Sequence, residues 1–387
     1  MKNATTFLAI ILTTVIAGCG GNKQSNDDLI IVDVLKSYPE KELMLQDFLD
    51  VEYIPLDDSD EFVTQGLLGN ISKNFIVTRN SGTGGDLFFF DRRNGKGLRK
   101  INRRGGGPEE YSMSGTIAID EENNEMFVCG TGNILVYDLF GNFKRRFISN
   151  TEKYRYSGIV NFDRNHLFFE DASYIYQDDR KNRLWIMSKQ DGSITKEIEI
   201  PYKEKITERV TKEPASSGPR MQFFVPDHYS NSWTLAETSS DTIYRLLPDY
   251  SLKPIIVRTP SIQTMVYPYT FFSLFAFTER YILMQTRSND RDARYPRKNL
   301  MWDKKEKALF ESTINNADFL YERPVKFEYE TIIFPFSDNE IAFGERLEAY
   351  ELVEAYMKGQ LQGRLKEIAA GMDAESNPVI LIAKHKK

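Results

Sequence analysis

Two stretches, LFFFDRRNGKGLRKIN at residues 87–102 and ILVYDLFGNFKRRFIS at residues 134–149, share one pattern and decide the fold. In each stretch an apolar run ends at an aspartate, a turn with glycine or asparagine follows, and alternating residues complete the unit. An apolar strand, a tight turn and a second alternating strand together predict a β-hairpin. The sequence therefore contains a repeated two-stranded unit.

The hairpin recurs along the chain at a nearly regular spacing. Weaker copies occupy residues 184–200, 242–257 and 300–314. The equivalent positions in the five hairpins are Asp91, Asp138, Ser188, Leu246 and Asp303. Successive positions are 47, 50, 58 and 57 residues apart. A four-stranded propeller blade takes about 40 to 50 residues plus insertions. More apolar strand pairs lie between the hairpins, as in residues 116–128 and 159–170, so each blade is predicted to hold an inner and an outer hairpin.

These units predict an all-β fold, a six-bladed β-propeller with four-stranded antiparallel blades. The blades are expected to begin near residues 66, 113, 157, 221, 270 and 329. The stretch VEYIPLDD, residues 51–58, is expected to be the outermost strand of the last blade and to close the ring. Apolar residues recur every three or four positions in residues 344–370, which predicts a helical insertion in the last blade, with Gly371 as its cap.

The first 18 residues have the features of a secretory signal peptide. Lys2 gives a positive start, an apolar run follows, and small residues precede Cys19. The apolar run, about 14 residues long, is shorter than the ~20 residues that a membrane-spanning helix needs. The sequence Ile16-Ala17-Gly18-Cys19 resembles a bacterial lipobox, which implies that Cys19 becomes the lipidated N-terminus and anchors the protein to a membrane. Ordinary secretory cleavage beside an incidental cysteine is the alternative.

The segment that follows the signal peptide sets the expected domain organisation. Gly20 rather than Asp after the cysteine favours the outer membrane under the lipoprotein sorting rule of enterobacteria. Residues 19–28 form a polar, flexible tether, and residues 29–387 are predicted to form one propeller domain. We therefore expect a lipid-anchored protein of the bacterial cell envelope.

Composition narrows the function classes. The 387 residues carry a formal net charge of −6, so binding to nucleic acid is not expected. With 41% hydrophobic residues the chain can bury a substantial core. Cys129 is the only cysteine besides Cys19, so a lipidated chain has no intramolecular disulfide.

The set of motifs resembles the six-bladed β-propeller lipoproteins of Gram-negative gut bacteria. The stretches that carry the resemblance are the lipobox, residues 32–56, GGGPEEY at 105–111, ILVYDLFGNFKRRF at 134–147 and NPVILIAKHK at 377–386. The resemblance covers nearly the whole mature chain and implies the propeller fold and export. It implies no catalytic residues.

The glycine-rich stretch INRRGGGPEEY, residues 101–111, invites a phosphate-binding interpretation that its details exclude. Glu110 occupies the position where a dinucleotide fingerprint needs glycine, and the flanking residues predict strands rather than a helix. The stretch is instead predicted to connect the first and second blades. Loops on one face of a rigid ring commonly carry recognition sites, so Arg104, Glu109, Glu110 and Tyr111 are predicted ligand-binding residues.

No residue pattern identifies an enzyme. His166, His228 and His385 lie far apart without metal-ligand spacing, and we identify no catalytic residue, metal site or cofactor motif. Two hypotheses follow. The first is a recognition scaffold for a protein, a glycan or a small solute; the second is a metal-dependent hydrolase or lyase, similar to six-bladed lactonases, with its site in the central channel. Three or more converging acidic, amide or histidine side chains would favour the second.

Overall fold

The computed structural model describes residues 29–386, except for 81, 83, 113–114, 131, 150–155, 172–182, 207–223, 291–295, 328–331 and 334–337. Within these residues six small antiparallel sheets form a ring, which confirms the predicted all-β, six-bladed propeller. The predicted signal peptide, Cys19 and the tether lie outside the described residues.

The chain enters the ring through a short N-terminal segment that precedes the first blade. Its elements are β1 (Ile30–Asp33), β2 (Glu40–Met44), α1 (Leu45–Phe48) and β3 (Leu49–Pro55).

The first three blades follow one another along the sequence, each with four antiparallel strands from the centre outward. Blade one consists of β4 (Leu67–Ile71), β5 (Phe75–Arg79), β6 (Asp86–Asp91) and β7 (Gly97–Asn102). Blade two consists of β8 (Ile117–Asp120), β9 (Glu125–Cys129), β10 (Asn133–Tyr137) and β11 (Phe143–Ile148). Blade three consists of β12 (Tyr156–Asn161), β13 (His166–Asp171), β14 (Arg183–Ser188) and β15 (Ile194–Glu199).

The second three blades complete the ring. Blade four contains β16 (Phe224–Asp227), β17 (Ser232–Leu235), β18 (Thr242–Leu246) and β19 (Leu252–Thr259), with short 3-10 turns at His228–Ser230 and Ile262–Thr264. Blade five contains β20 (Thr270–Phe277), β21 (Tyr281–Ser288), β22 (Arg297–Asp303) and β23 (Ala308–Asn315). Blade six contains β24 (Ile332–Ile333), β25 (Ile341–Leu347), the helices α2 (Ala349–Met357) and α3 (Gly363–Ala369), and β26 (Val379–His385).

The N-terminal segment runs along the outside of three successive blades. As predicted, β3 pairs antiparallel with β26 and closes the ring as the outermost strand of blade six. The other two strands were not predicted: β1 pairs in parallel with β19 of blade four, and β2 pairs in parallel with β23 of blade five. We call residues 30–55 the N-terminal belt. It gives blades four and five a fifth strand that the other described blades lack.

The third strand of a blade is apolar on both faces because it lies between two neighbouring blades. In β6, Phe89 packs into the core shared with blade two, whereas Phe88 and Phe90 pack into the core shared with blade six. All three rings are at most 1% exposed. A continuous apolar run such as LFFFD therefore stabilises two inter-blade contacts at once, with burial of each side chain contributing about 1.5 to 3 kcal/mol.

The helical insertion lies between β25 and β26, but its boundaries differ from those predicted. Residues 344–347 belong to β25, because the strand pairing with β26 extends to Leu347. Two helices then replace one, since Gly359 and Gly363 have positive φ angles of 66° and 57° at the break. Leu352 and Leu365 anchor both helices to the core of blades five and six.

Candidate recognition site

In an antiparallel four-stranded blade, the connections alternate between two faces of the ring. We call the face with the second-to-third-strand turns and the inter-blade connections the upper face, and the opposite face the lower face. The GGGPEEY loop joins β7 to β8, as predicted, and therefore lies on the upper face. Its glycines allow a tight fold: the Glu110 carboxylate accepts a hydrogen bond from the Gly107 N–H at 2.8 Å. A Cβ atom on Gly105 would lie 1.8 Å from that carboxylate.

Tyr111 has a structural position in this loop. Its ring is 1% exposed and packs edge-on against Tyr137, with the ring centroids 6.1 Å apart. Its hydroxyl donates to the Gly85 carbonyl at 2.7 Å and accepts the Arg103 N–H at 3.0 Å, while burial raises the pKa of the phenol. Nothing of the side chain is left to face a ligand in this conformation.

The other predicted residues of the loop are on the surface. Arg104 and Glu109 are exposed, and the Arg104 Nε–H donates to the Ser112 carbonyl at 3.4 Å. The backbone carbonyl of Glu109 accepts the Tyr137 hydroxyl at 2.7 Å, which ties the loop to blade two and leaves the Glu109 carboxylate in solvent. Ligand binding by Arg104, Glu109 and Glu110 stays a prediction.

An open surface depression of about 420 Å³, which we call the upper-face cavity, lies between the helical insertion and the connection from β3 to β4. This volume falls in the range of small-molecule sites, roughly 300 to 1,000 Å³. Side chains that can hydrogen-bond line much of it, including those of Thr64, Gln65, Arg346, Glu348, Tyr350 and Ser376. The sequence did not reveal this site, because its residues come from three separate segments.

Charge is balanced inside the cavity. Arg346, on β25, forms an ion pair with Glu348 at 2.6 Å and donates to the Gln65 carbonyl at 3.1 Å. Thr64 is fixed beneath them, since its N–H donates to the Asn377 side chain at 2.9 Å. Tyr350, in the first turn of α2, is 56% exposed. The cavity thus combines a neutralised ion pair with hydroxyl groups and one open aromatic ring.

The lower face carries a different constellation that sequence spacing also failed to reveal. His228, directly after β16, stacks on His385, at the end of β26, with the ring centroids 4.6 Å apart and the planes at 12°. Tyr229 packs edge-on against both rings, and its hydroxyl lies 3.4 Å from His385 Nδ1. The sequence did not indicate this contact, because it joins a residue of blade four to one of blade six, 157 positions apart.

The histidine pair borders a pocket too small for an organic ligand. The pocket holds about 20 Å³, room for roughly one water molecule, and Trp233, Phe277 and Asp338 also line it. Burial lowers the pKa of His385 to about 4, with a smaller contribution from the neighbouring His228. His385 is therefore neutral at physiological pH.

In the described part of the chain, no three His, Cys, Asp or Glu side chains are arranged as a metal site. Cys129 is buried at the end of β9, and burial raises the pKa of its thiol to about 12, which makes it a poor nucleophile. None of the described helices is long and apolar enough to cross a bilayer.

Comparison with known proteins identifies the family. Residues 29–384 match the family model described as a domain of unknown function, DUF4934. Since the match spans most of the sequence, the chain belongs to this family. A search of the curated proteins gives no match.

Solved structures with a similar fold extend the comparison. A candidate exported protein from Bacteroides fragilis aligns with a TM-score of 0.60 at 15% identity, covering 93% of this chain and 100% of that one. A DUF4221 family member from Bacteroides vulgatus aligns with a TM-score of 0.49 at 10% identity, covering 87% and 97%. Virginiamycin B lyase from Staphylococcus aureus gives a TM-score of 0.41 at 11% identity, covering 87% and 100%. The first similarity supports the fold, and the weaker two carry no argument about activity.

Proposed function

We propose that this member of the DUF4934 family is an exported recognition module whose upper-face cavity binds a neutral glycan or a similar polyhydroxylated solute. The observation that carries the proposal is the cavity of about 420 Å³ beside the helical insertion. Its volume falls in the range of small-molecule sites, and it lies on the same face as the GGGPEEY loop.

The lining favours a neutral polar ligand over a charged one. The ion pair between Arg346 and Glu348 cancels its own charge, yet both groups keep hydrogen-bonding capacity for hydroxyl groups. The exposed ring of Tyr350 offers an apolar face against which the C–H surface of a sugar ring can pack. The side chains of Gln65 and Ser376 add further polar groups to the lining, whereas the Thr64 hydroxyl is buried and donates to Asn80 at 2.9 Å.

A glycan array followed by calorimetry tests this proposal. Tyr350→Ala should weaken binding of the selected glycan by up to about tenfold, since aromatic contacts are worth about 0.5 to 1.5 kcal/mol. Tyr356→Ala is the matched control: it removes a second partly exposed tyrosine of α2 that does not line the cavity. An array without any bound glycan, or equal losses in the two variants, would contradict the proposal.

We further propose that the protein is anchored at the outer membrane through lipid on Cys19. The sequence Ile16-Ala17-Gly18-Cys19 supports this, as does the similar fold of a candidate exported protein. Cys19→Ala should move the protein from the membrane fraction to the soluble fraction, whereas Cys129→Ala should leave it in the membrane fraction. Unchanged membrane association of the Cys19 variant would contradict lipid anchoring.

A further inference from the structure

The outer strands of blades four and five do not end the sheet, because the N-terminal belt covers them. In blade five, β2 pairs with residues 311–315 of β23, and in blade four, β1 pairs with residues 256–259 of β19. Both additions are parallel and use the second half of the outer strand. The fold therefore shows twice that a blade edge accepts a parallel fifth strand.

Strand pairing identifies the equivalent positions of blade two. In blade five, Leu300 lies three residues before Asp303 and pairs with Glu311. In blade two, Leu135 lies three residues before Asp138 and pairs with Arg146. Arg146 thus occupies on β11 the position that Glu311 occupies on β23. The segment of β11 that matches the covered part of β23 begins at Arg146, and in the described chain no strand covers it.

This uncovered edge has an unusual surface. Ile148, at the end of β11, is 65% exposed. The side chain of Arg146, two residues earlier on the same face of the strand, is exposed and makes no hydrogen bond or ion pair with the other described residues. An open strand edge with one apolar and one cationic side chain offers backbone, apolar and charged contacts to an added strand.

The outer strands of blades one and three differ at the same position. In blade one, Lys100 lies 3.6 Å from Asp86, so its charge has an internal partner. In blade three, pairing with Trp185 places Glu197 there, which gives that edge the opposite charge. Among these three blades, blade two is therefore the one whose edge combines an unpaired cation with an exposed apolar side chain at this position.

We propose that the outer strand of blade two, Phe143–Ile148, binds an extended acidic segment of a partner protein as a parallel fifth strand. Backbone hydrogen bonds would supply affinity, as in other strand-addition complexes, while Arg146 selects acidic side chains and Ile148 packs against an apolar one. The belt supplies the register, because β2 places Glu40 beside Glu311, which occupies the position equivalent to Arg146.

A labelled peptide tests the surface directly on the whole protein. The peptide copies residues 37–44 with the changes Lys41→Thr and Glu42→Val, which keep Glu40 opposite Arg146 and place an apolar side chain opposite Ile148 in the register of the belt. Fluorescence anisotropy measures its affinity. We expect binding that Arg146→Glu weakens by about tenfold or more through charge reversal at the contact. Lys100→Glu, at the equivalent position of blade one, is the matched control and should leave the affinity unchanged.

Backbone pairing is tested with the same peptide methylated at alternate backbone nitrogens. Methylation keeps the side-chain charges of the peptide but removes its backbone N–H donors. A strand added to an edge uses every second N–H, so one peptide is methylated at the odd positions and another at the even positions. We expect at least one of these two peptides to lose binding. Because the Arg146 side chain is exposed, circular dichroism should show unchanged folding in both charge variants. No binding to the wild type, equal losses in the two charge variants, or full binding by both methylated peptides would overturn the proposal.

Discussion

The junction of blades two and three and the region from blade four to blade six place different chemistry at one repeated backbone position. The position ends or directly follows the third strand, and its N–H donates to a carbonyl in the turn before the second strand, at 2.8 to 3.0 Å. The residues that share this hydrogen bond are Arg92, Lys189, Lys304 and His385. Comparing their side-chain contacts separates the blades that are joined by ion pairs from those that are joined by a neutral aromatic contact.

At the junction of blades two and three, the position forms a buried ion pair. Lys189 Nζ lies 2.6 Å from Asp120, at the end of β8, and both side chains are 6% exposed. The ammonium also donates to the Asp163 carbonyl at 2.8 Å. At the junction of blades six and one, Arg92 pairs in the same way with Glu52 of β3 at 2.9 Å. In both cases the cation reaches back to the preceding blade.

From blade four to blade six, this pattern breaks. Asp227, which corresponds to Asp120, pairs with Arg245 at 2.9 Å, and Lys304 donates instead to the Thr278 carbonyl at 2.6 Å. In blade six the cation is replaced by His385, which stacks on His228. The comparison teaches that ion pairs lock one half of the ring, whereas a neutral aromatic contact spans the other half near the lower-face pocket.

The largest effect is expected from Lys189→Met. This change leaves Asp120 buried beside an apolar side chain, so the free energy of unfolding should fall by about 3 to 5 kcal/mol. Chemical denaturation followed by tryptophan fluorescence measures it. A loss below about 1 kcal/mol would show that this ion pair does not lock the two blades.

Arg92→Met should have a smaller effect. Glu52 is partly exposed and keeps a second partner in Lys384, so its charge is not left isolated. We expect a loss of about 2 kcal/mol in the same denaturation experiment, the usual worth of a charged hydrogen bond. A loss as large as that of Lys189→Met would contradict the ranking by burial.

The histidine contact should appear in the pH dependence. The pKa of His385 is about 4 in the folded protein and 6.5 when unperturbed, so between these values the unfolded chain binds a proton that the folded chain does not. The stability of the wild type should therefore fall as pH decreases from 6.5 towards 4, by about 1 to 2 kcal/mol because the ring is partly solvated.

The matching variant is His385→Phe, which keeps a stacking ring but cannot be protonated. It should lack this part of the pH dependence while its stability at pH 7.5 stays within about 1 kcal/mol of the wild type. Parallel stability curves for the two proteins from pH 7.5 to 4 would show that His385 is not the titrating group.

Lys304→Met should have the smallest effect. Burial lowers the pKa of the Lys304 ammonium, because the charged form is poorly solvated there. Asp227 does not depend on Lys304, since it forms an ion pair with Arg245. Replacing it with an apolar side chain of similar length should change the free energy of unfolding by about 1 kcal/mol or less. Lys189→Met and Lys304→Met make the same substitution at equivalent backbone positions. The difference between their losses of stability measures the effect of the buried Asp120 partner, which Lys304 lacks.

Part of this comparison was visible in the repeat itself. Aligning the hairpins at Asp91, Ser188 and Asp303 places Arg92, Lys189 and Lys304 in the next column, so a repeated cation could be seen without coordinates. The partners could not be predicted, because a cation pairs across a blade boundary with residues 40 to 69 positions away. The same limit applies to His228 and His385, because no pattern within either neighbouring stretch of sequence indicates that the two side chains meet.

The GGGPEEY loop and the upper-face cavity show how far the sequence predicts the structure of the upper face. The GGGPEEY stretch was placed correctly between two blades because glycine, proline and the flanking strands are local features. The burial of Tyr111 was not predicted, since it depends on Tyr137 and Gly85 from two different blades. The cavity at Arg346 and Tyr350 exists only because the insertion folds beside the connection that follows β3.

The sequence by itself determined the hairpins, the number of blades, the closing strand and the presence of a helical insertion. Those features depend on the alternation of apolar residues and on turn residues within about 20 positions, which is local chemistry. Only the tertiary structure decided which blade edges the belt covers, which cations find acids and where the two histidines meet. These contacts arise when the closed ring brings distant segments together, and their energies depend on burial and neighbouring charge, which spacing along a chain does not record.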